Sequence, residues 1–365
     1  MTPFSLRVAH VGNITNKAYR QVKALRGKGV DAELFLPYVR EVFEDPVSED
    51  DNLKSGYPEW IRFWDNRYKS TRYPYGKISL VNALRSNYDV IHAYTELSIF
   101  AMLSMKPYVA EATGSDLREL AFTGSMKGIL MKRAFLGARV VIFEDIDLLH
   151  SVQALGIKNS VYLPIPVDAD KFRPERVKEL RSSLGFENII FQPTGQRWKI
   201  KGNDKLIIAF AELLKNHKDI LLILAEWGSD VDGARELIRK LSISDNVLFV
   251  KPMVHSELVK YYNASDIVTD QFLIGSFGTV SLEAMSCGKP VITCLDKDIL
   301  SSLGIENPPI MEAKTVSEIY QMLRILVEDK KLRLETGRKS REWILKYHSL
   351  NVIGDGLIKI YEKFI

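Results

Sequence analysis

The chain has few of the residues that cross-link small proteins or bind metals. Its 365 residues include only two cysteines, Cys287 and Cys294, and six histidines. The cysteines lack the paired CxxC spacing of a zinc site, and the histidines form no HxH or HxxxH pattern. We therefore predict a reduced, intracellular protein with two buried thiols and no protein-bound catalytic metal.

Long apolar runs and a strong charge of one sign are also missing. The longest apolar run, residues 97–105, is about half of the ~18 uncharged residues that a membrane span needs. No apolar core of a secretory signal precedes Arg7. The net charge is only +4, from 50 basic and 46 acidic residues, which argues against nucleic acid as the main partner. These absences predict a soluble, cytoplasmic protein.

Strand-like and helix-like segments alternate along the chain, and the alternation occurs twice. Short apolar runs such as residues 6–11, 90–93 and 139–143 occupy the first half, and the pattern restarts at 188–192 and continues to 290–293. This alternation implies parallel sheets with helices on both faces. Because single cores rarely exceed ~250 residues, we predict two Rossmann-like parallel-sheet domains facing a central cleft.

A proline-rich segment, residues 163–174, lies between the two halves. Proline opposes both helix and central strand, so this segment is predicted to be an extended connection. The predicted domains are an acceptor-side domain at 1–168 and a donor-binding domain at 169–344. Residues 345–365 are predicted to form a C-terminal helix that crosses back to the first domain.

The most informative segment is residues 275–292, GSFGTVSLEAMSCGKPVI. A turn with Gly275 and Gly278 opens a short helix, and glycines allow a ligand to approach the backbone closely. The free N–H groups and positive dipole at a helix start favour a phosphate, here near Gly278 and Thr279. Glu283 lies four residues after Thr279 and therefore on the same helix face, where its carboxylate can accept hydrogen bonds from a ribose.

This segment resembles the donor-nucleotide motif of the retaining GT-B glycosyltransferases, family 4 in particular, in which EGFGxxxxEAMAxGxPVI is typical. Residues 163–174 also resemble the interdomain segment of that family. In the family, a glutamate eight residues before the position of Glu283 contacts the donor sugar, but this chain has Gly275 there. Asp270 either reaches the same space or caps the turn. For Glu283, the alternative is a surface glutamate stabilised by the helix dipole.

Residues 191–202 resemble the family's GRxxxxKG-like element, whose cations neutralise the donor diphosphate. Gly195 and Lys201 fit its spacing, but Gln196 occupies the usual arginine position and Arg197 follows it. The resemblance implies that Arg197 and Lys201 stabilise negative charge on the leaving group. The alternative is a solvated basic loop. Met253 lies in a loop that resembles the nucleobase loop of the family, or in an ordinary connection.

In the first half, Gly12 ends the first strand and is a candidate ligand contact, although no GxGxxG fingerprint of a dinucleotide site surrounds it. Asp116 lies in a segment similar to the family's HGSD-like element. It is a candidate catalytic residue that contacts the acceptor, or else a turn and helix cap.

For His92 and Tyr94, a core or loop role is favoured over catalysis. Residues 42–75 are interpreted as an acceptor-binding lid or a long surface insertion.

Basic and apolar residues also mix between residues 126 and 139. The mixture indicates either a helix on an anionic membrane surface or, as we favour, a helix that packs its apolar face inward.

The resemblance implies a metal-independent transferase without a cofactor. It would move a sugar from a nucleoside diphosphate sugar, UDP-linked by preference, to an acceptor hydroxyl on a glycan, lipid or small molecule. Domain closure would exclude water, and the leaving phosphate would accept the acceptor proton. The alternative is an impaired nucleotide-sugar-binding protein or an inactive partner subunit, because Gly275 replaces the first glutamate. A peripheral association with the inner membrane face is a further expectation.

Overall fold

The computed structural model describes residues 6–41, 44–64, 75–85 and 88–364. The chain divides into two compact units. The first combines Met1–Pro166 with His348–Ile365, and the second is Val167–Tyr347. Each unit is built around one parallel sheet, so the two parallel-sheet domains expected from the alternating pattern are confirmed.

The sheet of the first unit has seven strands in the order β3-β2-β1-β4-β5-β6-β7. Its strands are β1 Arg7–Val11, β2 Asp31–Pro37, β3 Ile61–Trp64, β4 Val90–Tyr94, β5 Tyr108–Ala112, β6 Val140–Phe143 and β7 Ser160–Tyr162. Its helices are α1 Lys17–Gly27, α2 Tyr75–Arg85, α3 Ser98–Leu103, α4 Ser115–Arg118, α5 Met126–Gly137, α6 Leu148–Ala154 and, after the second unit, α16 Leu350–Tyr361. The central strands β4, β5 and β6 are buried along their whole length. Such continuous burial is typical of parallel sheets covered on both faces.

The second unit has a six-stranded sheet in the order β10-β9-β8-β11-β12-β13. The strands are β8 Asn188–Gln192, β9 Ile220–Ala225, β10 Val247–Val250, β11 Ile267–Thr269, β12 Val291–Thr293 and β13 Met311–Glu312. The helices are α7 Lys178–Leu184, α8 Trp198–Lys201, α9 Asn203–Leu213, α10 Val231–Lys240, α11 His255–Ala264, α12 Thr279–Ser286, α13 Lys297–Ser302, α14 Val316–Glu328 and α15 Lys330–Tyr347. Ligands of open parallel sheets bind at the carboxyl ends of the strands, which here are the turns after Gln192, Ala225, Val250 and Thr269.

The C-terminal helix α16 is tied to the first unit by a buried polar cluster. The Tyr361 hydroxyl lies 2.6 Å from His92 Nδ1 and 3.1 Å from His10 Nε2. His10 Nδ1 in turn lies 2.7 Å from the Tyr94 hydroxyl. All four side chains are buried, so the core role favoured for His92 and Tyr94 is confirmed.

Two parts of the first unit differ from the sequence expectations. Ile61–Trp64 forms the edge strand β3, so part of the segment interpreted as a lid or insertion belongs to the sheet. Residues 42–43 and 65–74 of that segment lie outside the described residues. Helix α5 buries Met131 and Phe135 as expected but leaves other apolar side chains exposed. Across the described ranges, no helix combines the length and hydropathy needed to cross a membrane.

Candidate active site

The start of α12, which we call the cradle, is the predicted phosphate-binding turn. The helix begins at Thr279, and its N-cap residue Gly278 has an extended conformation and makes no side-chain cap hydrogen bond. Ser281 N–H already bonds the Gly278 carbonyl at 3.1 Å. The backbone N–H groups of the first turn before Ser281 therefore have no acceptor within the helix. They lie at the helix N-terminus, which is the positive end of the helix dipole.

The buried carboxylate of Asp270 supports this turn from the interior of the second unit. Asp270, 1% exposed, follows β11 and accepts hydrogen bonds from Thr194 Oγ1 and Ser281 Oγ, both at 2.8 Å. A Cβ atom on Gly278 would lie 2.5 Å from Asp270 Oδ2, a distance that packed side chains do not adopt. Glycine is thus required at 278 by the carboxylate beneath it. These contacts hold Asp270 against the turn that opens α12, and its alternative role at the donor sugar stays a prediction.

Glu283 is buried within the same unit. Its side chain is 2% exposed, so the alternative of a surface glutamate is wrong. Oε2 accepts a 3.2 Å hydrogen bond from the Tyr262 hydroxyl, and Oε1 lies 3.7 Å from His255 Nε2. Burial raises the pKa of Tyr262, which keeps its hydroxyl protonated and able to donate. The His255 side chain is partly exposed.

The loop after β8 presents Arg197 rather than Gln196. Gln196 is fully buried, whereas Arg197 is exposed. The Arg197 guanidinium lies 5.5 Å from the ring centroid of Trp227, a cation–π distance. A Cβ on Gly195 would come within 2.8 Å of the same indole, so glycine is required where the ring crosses the loop. Of the two neighbours, Arg197 is the side chain available to an anion.

Lys201 ends α8 beside the loop that leads to the cradle. Its carbonyl accepts a 2.8 Å hydrogen bond from Phe272 N–H, and a Cβ on Gly202 would lie 3.1 Å from Leu273. Gly202 also has φ +67°, which joins α8 to α9 in a left-handed turn that favours glycine. The KG pair therefore joins the cation loop to residues 270–275.

Gln271 fixes the segment that contains Gly275. Its amide nitrogen donates to the carbonyls of Ile274, Ser276 and Cys294, and its oxygen accepts from Leu273 and Ile274 N–H. A Cβ on Gly275 would lie 3.2 Å from Asp296 Cβ, tighter than an ordinary contact. The structure thus holds this loop in one shape without a side chain at 275.

Known proteins share both the sequence of this unit and the fold of the chain. Residues 178–343 match the model of the family "Glycosyl transferases group 1". This match covers most of the second unit, Val167–Tyr347.

Two curated relatives match this chain over part of their length. A D-inositol 3-phosphate glycosyltransferase of Corynebacterium jeikeium is 32% identical over 214 residues, 55% of this chain and 51% of that protein. An alpha-monoglucosyldiacylglycerol synthase of Streptococcus pneumoniae is 30% identical over 251 residues, 62% of this chain and 56% of that protein. The matches thus span about half the length of these relatives.

Structural similarity to a known protein extends beyond the residues that match the group 1 family. A solved structure of Anabaena HepE in complex with UDP and glucose has a TM-score of 0.76 at 16% identity, covering 98% of this chain and 100% of that chain. This likeness confirms the GT-B fold expected from the resemblance.

The predicted residues of the first unit lie outside the residues that match the group 1 family and are held by structural contacts. Gly12 has φ +97°, and a Cβ there would lie 2.7 Å from Leu97 Cδ1. The carboxylate of Asp116 accepts hydrogen bonds from the N–H groups of Thr113 and Gly114, at 3.1 and 2.9 Å. These bonds are those of the turn-cap alternative. The acceptor role of Asp116 and the ligand role of Gly12 stay predictions.

A buried ion cluster also lies at the carboxyl edge of the first sheet. Lys17 Nζ is 3.0 Å from Glu111 Oε1 and 2.7 Å from Glu144 Oε1. Burial alone lowers the pKa of Lys17, but the two carboxylates outweigh it and keep the ammonium charged. Burial raises the pKa of Glu144 to about 8, whereas Lys17 and His92 overcome burial at Glu111 and lower its pKa to about 2. No spacing along the chain indicates this cluster, because its members come from three separate elements.

Sequence reasoning also missed the residues that support the cradle. Tyr262 and His255 contact Glu283 from α11, and Trp227 covers Gly195 from the end of β9. Asp270 was noticed, but its bonds to the cradle helix were not. A polar residue that directly follows a strand of a parallel sheet lies at the edge where ligands bind, and Asp270, directly after β11, carries that signal.

Proposed function

We propose that this protein is a retaining, family 4-like glycosyltransferase that moves a sugar from a nucleoside diphosphate sugar to an acceptor hydroxyl. The observation that supports it is the uncapped start of α12, where only glycine fits at 278 above Asp270. The matched family and the fold support the same reaction class. UDP is the preferred nucleotide of the proposal, because the structurally similar HepE was solved in complex with UDP.

In the proposed reaction, the donor diphosphate lies on the first amides of α12, with Arg197 and Lys201 as its cations. These groups supply positive charge where the leaving phosphate gains negative charge, which is the main electrostatic contribution to such transfers. No metal is needed in this proposal, so activity should persist in EDTA. Glu283 accepts hydrogen bonds from the ribose hydroxyls, and Met253 lies in the loop beside the base.

The first test is a thermal-shift panel of UDP, GDP, ADP, CMP, dTDP and NAD on the wild type and on Glu283→Gln. A ligand at about 100 times its Kd adds about 2.7 kcal/mol of stability to the protein that binds it. Loss of a hydrogen bond to a charged group costs about 1.5–3 kcal/mol, so the Kd of the preferred nucleotide should rise at least about 10-fold in Glu283→Gln.

Glu236→Gln is the matched control, because Glu236 is exposed on α10 of the same unit. It should respond to nucleotides like the wild type. A folded wild type that responds to no nucleotide would contradict both the transferase proposal and its binding-only alternative.

A second candidate, a nucleotide-sugar-binding protein without turnover, is favoured by Gly275, which offers no side chain to the donor sugar. The two candidates differ in turnover rather than in binding. Release of UDP from UDP-glucose, with or without acceptors, supports the transferase. Tight UDP-glucose binding without release supports the second candidate, as does a gain of turnover in Gly275→Glu.

We also propose that the first unit associates with an anionic membrane surface through α5. The helix carries no acidic residue, and Met126, Ile129 and Leu136 are 74%, 42% and 49% exposed. Lys132 and Arg133 line a groove of about 410 Å³ together with Ile129 and Leu136. Apolar and basic side chains on one helix suit the interface of an anionic bilayer.

Co-sedimentation with phosphatidylglycerol vesicles tests this association. Each Lys or Arg near an anionic surface contributes about 1 kcal/mol, so the double variant Lys132→Glu/Arg133→Glu should bind at least about 30-fold more weakly. The matched control is Arg239→Glu/Lys240→Glu on α10, which has the same net charge. Equal loss in both variants would show that only total charge matters and would contradict a specific α5 surface.

A further inference from the structure

Trp227 is a large aromatic side chain of the second unit to which the proposed reaction assigns no task. It follows β9 by two residues and is 39% exposed. Its indole N–H donates to the Pro193 carbonyl at a long 3.4 Å. A Cβ on Gly195 would lie 2.8 Å from Cδ2 and Cε3 of the indole, so this glycine lies directly against the ring. The indole is therefore supported by Gly195 and still presents surface to solvent.

The order of the sheet places Trp227 beside the proposed donor site. Neighbouring strands run β10-β9-β8-β11, so the loops after these strands lie side by side at one edge. The cradle helix follows β11, the Arg197 loop follows β8, and Trp227 follows β9. The Trp227 carbonyl accepts a 2.8 Å hydrogen bond from Gln196 N–H, which joins the last two loops directly. Trp227 thus lies next to the cation loop, on the side away from the cradle.

The surroundings of Glu283 decide which end of the donor passes Trp227. The proposed ribose partner Glu283 lies 3.7 Å from His255, which begins α11 shortly after β10. The nucleoside end of the donor therefore points toward the β9 and β10 loops. The sugar end points the other way, toward Gly275 and Asp296 beside β12. The base is therefore the end of the donor that we expect beside Trp227.

We propose that Trp227 stacks on the nucleobase of the donor and contributes a large part of its affinity for nucleotides. This inference rests on the proposed donor site. Aromatic side chains bind bases through their faces, and such stacking is tolerant of base identity. Glycine at 195 serves this role, because it lets the indole lie flat against the loop that also carries Arg197.

The contact between Arg197 and Trp227 is compatible with stacking of the base on Trp227. The guanidinium lies 5.5 Å from the indole centroid. A diphosphate is a stronger partner for a guanidinium than an indole face, because charge-assisted and bidentate hydrogen bonds exceed cation–π contacts. Donor binding is therefore expected to draw Arg197 to the phosphates and to uncover the ring for the base.

The test compares UDP, GDP and ADP with pyrophosphate, which has no base, by calorimetry on the wild type, Trp227→Phe and Trp227→Leu. Stacking predicts that Trp227→Leu binds the preferred nucleotide about 5- to 150-fold more weakly. It should bind pyrophosphate at least as tightly as the wild type, because Arg197 no longer contacts an indole. Trp227→Phe keeps an aromatic face and should retain most of the nucleotide affinity. Because the indole is partly exposed, both variants should fold, which a melting curve checks.

The other outcomes separate the two proposals. If Trp227→Leu binds the nucleotide as tightly as the wild type, the stacking is overturned while the donor site stands. If Trp227→Leu binds nucleotide and pyrophosphate more weakly by the same factor, Trp227 only shapes the loop that carries Arg197, and the stacking is again overturned. If the folded wild type binds no nucleotide, the proposed function fails and this inference fails with it.

Discussion

Replacing Gly278 with alanine is expected to slow the proposed sugar transfer about 100-fold and to weaken UDP binding. The added methyl group would lie 2.5 Å from Asp270 Oδ2. Asp270 cannot move aside cheaply, because it is buried and its oxygens accept hydrogen bonds from Thr194 and Ser281. The start of α12 must shift instead, and a displacement of about 1 Å of groups that position a substrate costs about 100-fold in rate.

The measurement is the rate of UDP release from UDP-glucose together with the Kd for UDP. Gly124→Ala serves as the control, because a Cβ at 124 meets no atom within 4 Å. It should leave both quantities unchanged. A Gly278→Ala protein that binds UDP and turns over like the wild type would show that the cradle does not hold the diphosphate.

Replacing Lys17 with methionine is expected to destabilise the protein by about 3–5 kcal/mol. Lys17 is 3% exposed and lies between the carboxylates of Glu111 and Glu144. Removing Lys17 leaves the ionised carboxylate of Glu111 as an uncompensated buried charge, which is the source of this large cost. Urea unfolding measures the loss, and Lys54→Met is the control. The exposed pair of Lys54 with Asp51 should contribute about 1 kcal/mol or less.

The pH dependence of stability tests the same cluster. The folded pKa of Glu111 is lowered from 4.5 to about 2, so its unfolded form binds more protons between these values. The contribution of Glu111 to the free energy of unfolding should therefore rise between pH 2 and 4.5 and be retained at higher pH. Glu144 acts with the opposite sign, because its pKa is raised to about 8, so its contribution should fall from pH 4.5 to 8. The rise in stability between pH 2 and 4.5 should be smaller in Lys17→Met than in the wild type. An unchanged profile in that variant would contradict the assignment.

Much of the fold could be read from the chain because parallel strands have a simple pattern. Runs such as residues 90–94, 188–192 and 220–225 are apolar throughout most of their length, since each strand is covered on both faces. The edge strand Ile61–Trp64 was missed because only one of its four side chains is buried. The short strand Met311–Glu312 was missed for the same reason, since both of its residues are half-buried.

At the candidate site, the predicted and the unpredicted residues differ in kind. The positions of Gly278, Thr279 and Glu283 at a helix start could be predicted because a helix start and its first turns are local in sequence. Their roles toward a nucleotide stay predictions. Asp270 and Trp227 act on Gly278 and Gly195 across the sheet, and no spacing along the chain encodes those contacts. The roles of Arg197 and Lys201 in binding the diphosphate stay predictions that the nucleotide experiments test.

The sequence by itself determined the two parallel sheets, the glycine turn before Thr279 and the replacement of the first glutamate by Gly275. These features depend on backbone preference and on periodic burial, which act over a few residues. Only the tertiary structure decided that Asp270 makes Gly278 obligatory, that Trp227 lies on Gly195 and that Lys17 bridges two carboxylates. Those contacts join strands and helices far apart in the chain, and their energies exist only after packing has removed water from between them.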